Sequence, residues 1–182
     1  MEEQSELRLE LADEEWPMAN IDHDRTIVRA IVTDGSRSFY FVRVKRDDAF
    51  GACTVLETSG GGVEEGESLT DALRRELSEE LGVEVDILCR IGVVSDYYNL
   101  IHRHNINHYY LCRVTAFGSP HRTEDEIEQF HLSTVKLTFE DALREYEHCR
   151  SSRLGRLIAN RETVILKRAK ELLASGKEVE AL

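Results

Sequence analysis

Glu76, Glu79 and Glu80 stand at i, i+3 and i+4 in a stretch free of Gly and Pro from Leu69 to Leu81. At the helical step of ~100° per residue they share one side of a helix, at the margin of the stripe Leu69, Leu73 and Leu77. Ser68 is placed to cap that helix, with Asp71 three residues on, and Gly82 follows where a left-handed C-terminal residue belongs. Like charges at this spacing repel one another. The cluster therefore asks for a counterion, and carboxylate oxygens suit a hard divalent cation, so Mg2+ or Mn2+ is the expected cofactor. The competing reading is a solvated face paired with Arg74 and Arg75.

The wider spacing separates the two readings. From Gly61 the chain runs five residues to Glu67 and seven more to Arg75-Glu76. Leu77, one residue, Glu79-Glu80, one residue and Gly82-Val83 follow. This pattern resembles the signature of the Nudix (MutT-type) hydrolases at every specified position. The resemblance implies an α/β fold, a Nudix-type α/β/α sandwich with a mixed β-sheet and C-terminal helices. It also implies roles. Glu79 and Glu80 become metal ligands, with Glu76 a further ligand or the base that activates water, and a carbonyl of Gly60 or Gly61 completes the set. Arg75 holds the glutamates in place, while Glu57, Glu67 and Gly82 are structural parts of the motif. Family members also recruit a late-loop carboxylate, for which Glu126 is the candidate among Glu124, Asp125, Glu126 and Glu128. One position departs: Ser59 stands where the family often has proline before the glycines. Loss of the fixed φ is expected to loosen that loop.

The motif handles a diphosphate, so the rest of the substrate is read from other residues. Subfamilies acting on ADP-ribose, NADH or coenzyme A tend to carry prolines downstream of the motif, and residues 84–119 contain none. Tyr98 lies near where dinucleoside polyphosphate hydrolases place a tyrosine. His102, Arg103 and His104 are read as a pocket border that meets a phosphate or stacks on a base. Together with His108 the histidines lack an intervening carboxylate or thiolate, which argues against a second metal site. Arg43, Lys45 and Arg46 are further candidates for phosphate contact.

These residues need a scaffold. Arg25–Thr33 and Ser38–Lys45 are β-rich runs around the turn Asp34-Gly35 and predict a hairpin. A short strand is expected at Cys53–Leu56, a loop at Gly60–Gly62, strands at about 88–97 and 105–117, and a weaker one at about 127–136. Helices are expected from Thr138 and over Arg153–Leu173, with Gly176 as a stop. The Leu/Ile stripe of the last helix is core packing or a dimer interface, which leaves a homodimer open. The parse is an acidic extension at 1–20 that adds a strand or packs by Trp16, a domain at 21–150, and a C-terminal helix at 151–182.

The 182 residues carry a formal charge of −12. Residues 1–15 hold seven acids against Arg8 alone, and residues 57–80 hold eight against Arg74 and Arg75, so these two segments account for all of it. Such a balance argues against nucleic-acid binding. No apolar run reaches the ~20 residues of a membrane span, and a cytoplasmic location is the expectation. Cys53, Cys89, Cys112 and Cys149 form no metal or disulfide pattern and are read as free thiols. The function expected is Mg2+-dependent hydrolysis of a diphosphate linkage in a small nucleoside diphosphate-type molecule. The alternatives are a nucleotide-binding sensor without turnover, which is free to lose the glutamates present here, and an ADP-ribose- or dinucleoside polyphosphate-specific enzyme. Isopentenyl diphosphate isomerases share the fold but use altered motifs and a catalytic cysteine, for which only Cys53 is near.

Overall fold

The run Ile27 to Val32 is apolar except at Arg29, the pattern of a strand covered on both faces. In the computed structural model, which describes residues 6–128 and 131–175, it forms the middle of β2 (His23–Thr33). A parallel partner, β7 (Arg103–Phe117), pairs with β2 along its whole length, from His23↔Arg103 to Thr33↔Arg113. On its other edge, β2 splits its partners. Ile27–Ala30 pairs with β5 (Ser59–Gly62), and Val32 and Thr33 pair with β3 (Ser38–Asp48) across the expected hairpin.

The remaining strands extend the sheet both ways. β6 (Val83–Tyr98) forms a long antiparallel pair with β7 through the short turn Asn99–Ile101. β1 (Leu7–Leu11) adds a parallel edge to β6, and β4 (Gly51–Glu57) and β8 (Ser133–Thr138) pair with β3. The result is an eight-stranded mixed sheet, ordered β1-β6-β7-β2-β3-β4 with β5 on β2 and β8 on β3.

Two helical layers cover it. α1 (Leu69–Leu81) buries Ala72, Leu73, Leu77 and Leu81 against the face that carries Val28 and Gly61. α3 (Phe139–Cys149) and α4 (Arg153–Ala174) lie on the other face, where Arg161 and Glu162 of α4 meet Asp96, Tyr98 and Tyr109. Adjacent strand residues point to opposite faces, so Val28 and Arg29 face α1 and α4 respectively.

Two expectations change. The glycines expected as a loop are a strand, β5, because a side-chain-free segment can lie flat between β2 and α1. The run at 127–136 divides into α2 (Glu124–Glu128) and β8, since the acidic residues at its start favour a helix N-terminus. Gly176 lies outside the described residues. The acidic N-terminal segment is built into the structure: Asp13 accepts from the Asn99 amide at 2.7 Å, and Glu15 holds Arg156 at 2.8 and 2.6 Å. Trp16 packs edge-on against Phe50 at 5.5 Å. All four cysteines are free.

Candidate active site

Ser68 accepts from the Asp71 amide at 3.1 Å, and Gly82, at φ 66° and ψ 36°, closes α1 in the left-handed region. The helix lies under β5, and the approach depends on glycine. A Cβ on Gly61 would fall 2.5 Å from the carboxyl atoms of Glu76, and one on Gly60, at φ +149°, would fall 2.0 Å from the Val28 carbonyl oxygen. Val63 donates to the Thr26 carbonyl at 3.1 Å. Bonding alternates along an antiparallel pair, so Gly61 faces β2, and the main-chain groups of Gly60 and Gly62 face away from it. The Gly60 amide donates to Glu80 Oε2 at 3.0 Å, and the Gly62 carbonyl accepts from Arg75 at 3.0 Å.

Arg75 joins these parts. Its guanidinium donates to both oxygens of Glu67 (2.9 and 3.0 Å), to Glu76 Oε1 (2.7 Å) and to Glu79 Oε2 (3.4 Å). The Glu67 bond, then that to Glu76, holds the Arg75 pKa well above its ordinary value. Glu67 also accepts from the Glu64 amide at 3.1 Å, bracing the turn before α1. A planar fork with five donors is the one side chain able to bridge three carboxylates and a carbonyl.

Glu80 is the buried member, 7% exposed, and its Oε2 accepts from Ser59 Oγ at 2.6 Å as well as from Gly60. Burial pushes its pKa up to about 7, against the pull of the Ser59 and Gly60 bonds, and Glu76 pushes in the same direction as burial. Arg122 donates to the Glu80 carbonyl at 3.2 and 3.0 Å, and His121 donates from its amide to the Glu79 carbonyl at 2.8 Å. The Glu79 and Glu80 carbonyls, free at the end of the helix, are thereby satisfied.

On the α4 face, a buried ionic cluster abuts the same glycine strand. Arg161 binds Asp96 at 2.6 Å, Tyr98 Oη at 3.1 Å and Glu162 at 2.9 Å. Arg29 reaches Asn107 at 3.2 Å, Glu57 at 3.3 Å and the Thr58 carbonyl at 3.1 Å.

The comparisons with known proteins agree with this geometry. The NUDIX domain family model matches residues 23–152. The chain is a member of the Nudix family. Solved structures share the fold. A NUDIX hydrolase from Nitrosomonas europaea is 14% identical over 87% of this chain and 94% of its own, at a TM-score of 0.59. The E. coli ORF135 protein is 22% identical over the same shares, at 0.58. A MutT NUDIX hydrolase from Burkholderia pseudomallei is 20% identical over 66% of this chain and 87% of its own, at 0.51. No curated protein matches the chain. Its class is that of the Nudix pyrophosphohydrolases.

In this Nudix chain the structure gathers Gly60, Gly61, Glu67, Arg75, Glu76, Glu79 and Glu80 at one place, with Glu57 on the opposite side of the sheet. Among the described residues, no three His, Cys, Asp or Glu side chains converge as a ready metal cage. Glu80 is turned to Ser59, while Glu76 and Glu79 hold Arg75. The side chain of Glu126 lies outside the described residues.

The candidates for substrate contact disperse. Arg43 is engaged by Glu145 on α3 at 2.8 and 2.7 Å. Arg46 pairs with Asp48 and lies 5.1 Å from the Phe50 ring, and Lys45 is exposed. His102, at φ 54°, meets the Asn20 carbonyl at 2.8 Å. His104 meets Asp24 at 2.8 Å and stacks on Tyr97 at 4.5 Å, on the α1 face. Tyr98 and Arg103 lie on the α4 face, with the Arg103 guanidinium 5.8 Å from the Tyr98 ring.

Several site residues were not read from the sequence. Ser59, expected to loosen the loop, is fully buried and holds Glu80 instead. Arg29 carries a signal, a charge inside an otherwise apolar run, that marks a buried polar network, whereas Arg161-Glu162 lies in the polar stretch Asn160–Thr163 and carries none. Arg122 carried none, because it becomes informative only when the chain folds back on α1.

Proposed function

We propose that this protein hydrolyses the diphosphate linkage of a nucleoside diphosphate derivative, using a divalent cation held at the glutamate face of α1. One observation carries the reading: Arg75 ties Gly62, Glu67, Glu76 and Glu79 into one unit directly beneath the glycine strand.

The donor set fits a hard cation. Glu76, Glu79, Glu80 and the outward-facing Gly60 carbonyl offer only oxygen, as Mg2+ or Mn2+ prefers. The Gly61 cradle leaves no room for a side chain between strand and Glu76. Glu80 is a buried acid short of positive charge, and a cation is what such a group lacks. Mg2+ or Mn2+ bound there would neutralise phosphate oxygens and acidify the attacking water.

The chain's own residues do the positioning. Glu79, the most exposed of the three at 39% of its side chain, faces incoming substrate. Glu76 sits under Gly61, where it either binds the cation or accepts the proton of water. Arg75 fixes the spacing of Glu76 and Glu79, and Ser59 and the Gly60 amide aim Glu80. Lysine at position 75 offers no planar fork, so Arg75→Lys lowers kcat by ~10- to 100-fold while the fold persists.

The test is a panel of (d)NTPs, ADP-ribose, NADH, dinucleoside polyphosphates and nucleotide sugars with Mg2+ or Mn2+, run beside Glu79→Gln. Turnover that requires the metal and is lost in the variant is expected. Absence of hydrolysis across the panel, or a fully active variant, removes the proposal.

A further inference from the structure

The α4 face of the sheet carries a row of cations leading away from the glycine strand. Arg25 and Arg29 alternate on β2, and Arg103, Asn105 and Asn107 alternate on β7, with Arg25 registered against Asn105. Arg29 is matched by Glu57 and Asn107, and Arg161 above it by Asp96 and Glu162. Arg25 and Arg103 are not matched. Among the described residues neither guanidinium has a hydrogen bond or an ion pair, and Nε of Arg103 is buried without a partner.

Two unpaired guanidiniums side by side are costly. Burial lowers the Arg103 pKa, and the neighbouring charge of Arg25 lowers it further. In a chain of net charge −12, carboxylates are plentiful, yet none is spent here. Between them lies Asn105, 1% exposed, whose Oδ1 has no hydrogen-bond partner. That oxygen is an acceptor and offers nothing to an anion, but the buried Arg103 Nε is a donor, and native proteins rarely leave one unmatched; with Arg25 beside it the pair marks a place for an anionic ligand. Arg25 remains exposed, so the place is open to solvent.

Its position relates it to the glutamates. A Cβ on Gly62 would meet the Arg25 Nη2 at 2.9 Å, and one on Gly61 would meet Glu76 from the other side of the same strand. A single strand residue, about 3.4 Å, separates the two backbone points. The two points lie on opposite faces of β5, so an anion chain joining them passes along the strand edge that faces away from β2.

We propose that Arg25 and Arg103 bind a phosphoryl group of the substrate that lies beyond the diphosphate at the glutamate helix, so that the preferred substrates carry three or more phosphates in a row. This rests on the diphosphate-hydrolase reading for the position of the first two phosphates. Guanidinium forks match phosphate oxygens in pairs, and of the Asn105 amide only its NH2, a donor, can add to them. Nucleoside triphosphates and dinucleoside polyphosphates meet the requirement, whereas ADP-ribose and nucleotide sugars end at two phosphates.

The experiment has two arms. In the first, inorganic tripolyphosphate is titrated into the full-length protein in EDTA at low ionic strength, with Arg25→Gln, Arg103→Gln and, as a control ten residues along β7 at the far end of the sheet, Arg113→Gln. Binding to parent and control is expected, weakened about tenfold or more in each of the other two, as loss of a charge-assisted bond implies. In the second, kcat/KM is measured with Mg2+ for a nucleoside triphosphate and for ADP-ribose, and the triphosphate-to-ADP-ribose ratio is expected to fall about tenfold in both variants. Tripolyphosphate that fails to bind the parent, or binds all variants alike, overturns the subsite, as does an unchanged ratio. The first arm needs no turnover, so the subsite is judged even where the Glu79→Gln test removes the hydrolase reading.

Discussion

The Thr58 hydroxyl donates into the buried carboxylate of Glu162, 3.1 and 3.0 Å from its two oxygens, across 104 residues of sequence. This bond fastens the last residue before the glycine strand to α4. Because Ser59 next to it holds Glu80, the position of the candidate site is set from both faces of the sheet.

Thr58→Val removes the hydroxyl at nearly constant shape. Glu162 keeps Tyr109 and Arg161 but loses one donor, at a cost of about 1–2 kcal/mol. Urea denaturation reads this as a lower midpoint at unchanged slope, and a midpoint equal to the parent's would show the bond to be idle.

Arg161→Met is a harsher change. Asp96 and Glu162 are then buried carboxylates without their cation, and such breakage typically costs about 3–5 kcal/mol. Adding Glu162→Leu to the same chain should recover part of that loss, since one stranded charge is removed with its partner. Denaturant unfolding of the single and double variants decides; a double variant no more stable than the single would refute the charge argument.

Gly61→Ala tests the close approach. The new methyl carbon needs the space of the Glu76 carboxyl, so either the strand lifts or the glutamate swings aside. Displacement of a reacting group by a fraction of an ångström to one ångström is expected to cut turnover of any substrate found in the panel by ~10- to 100-fold. Activity within twofold of the parent would mean that Glu76 has no fixed role.

Asp34 gives the acid limb of stability. Lys136 (2.6 Å) leads the contacts that hold its carboxyl well below the usual range, followed by Ser36 (3.0 Å) and Tyr40 (2.8 Å). A depressed carboxylate stabilises the fold above its unfolded pKa of ~3.9 and loses that contribution as the pH falls through its folded value. The stability gap between the parent and Asp34→Asn should therefore be full at neutral pH and shrink on acidification below about pH 4. A gap that stays constant down to strongly acid pH would contradict it.

Much of the site was legible because it is local. The helix from Leu69 to Leu81, its Ser68 and Gly82 caps and the shared side of Glu76, Glu79 and Glu80 follow from helical periodicity and capping chemistry within some fifteen residues. The free thiols and the hairpin at Asp34-Gly35 likewise needed only neighbours in sequence. The glycine segment reads as a loop in sequence and forms a strand, since nothing local announces that Val28 and Glu76 leave a slot only a bare backbone can fill. In the sequence Arg43, Lys45 and Arg46 are as able to meet a phosphate as Arg103, and Arg25 carries no signal at all. Which cations are already matched depends on partners such as Glu145, about a hundred residues away.

The sequence by itself determined the family, the acidic helix and the chemistry its oxygens can support, because motif spacing and helical period are properties of a short stretch of chain. Only the tertiary structure decided that Ser59 aims Glu80, that Arg122 closes the helix, that Arg161 and Glu162 anchor the glycine strand, and that Arg25 and Arg103 stand without counterions. Those facts are sums over groups brought together by long-range strand pairing, and burial and charge balance acquire values only once the sheet has closed.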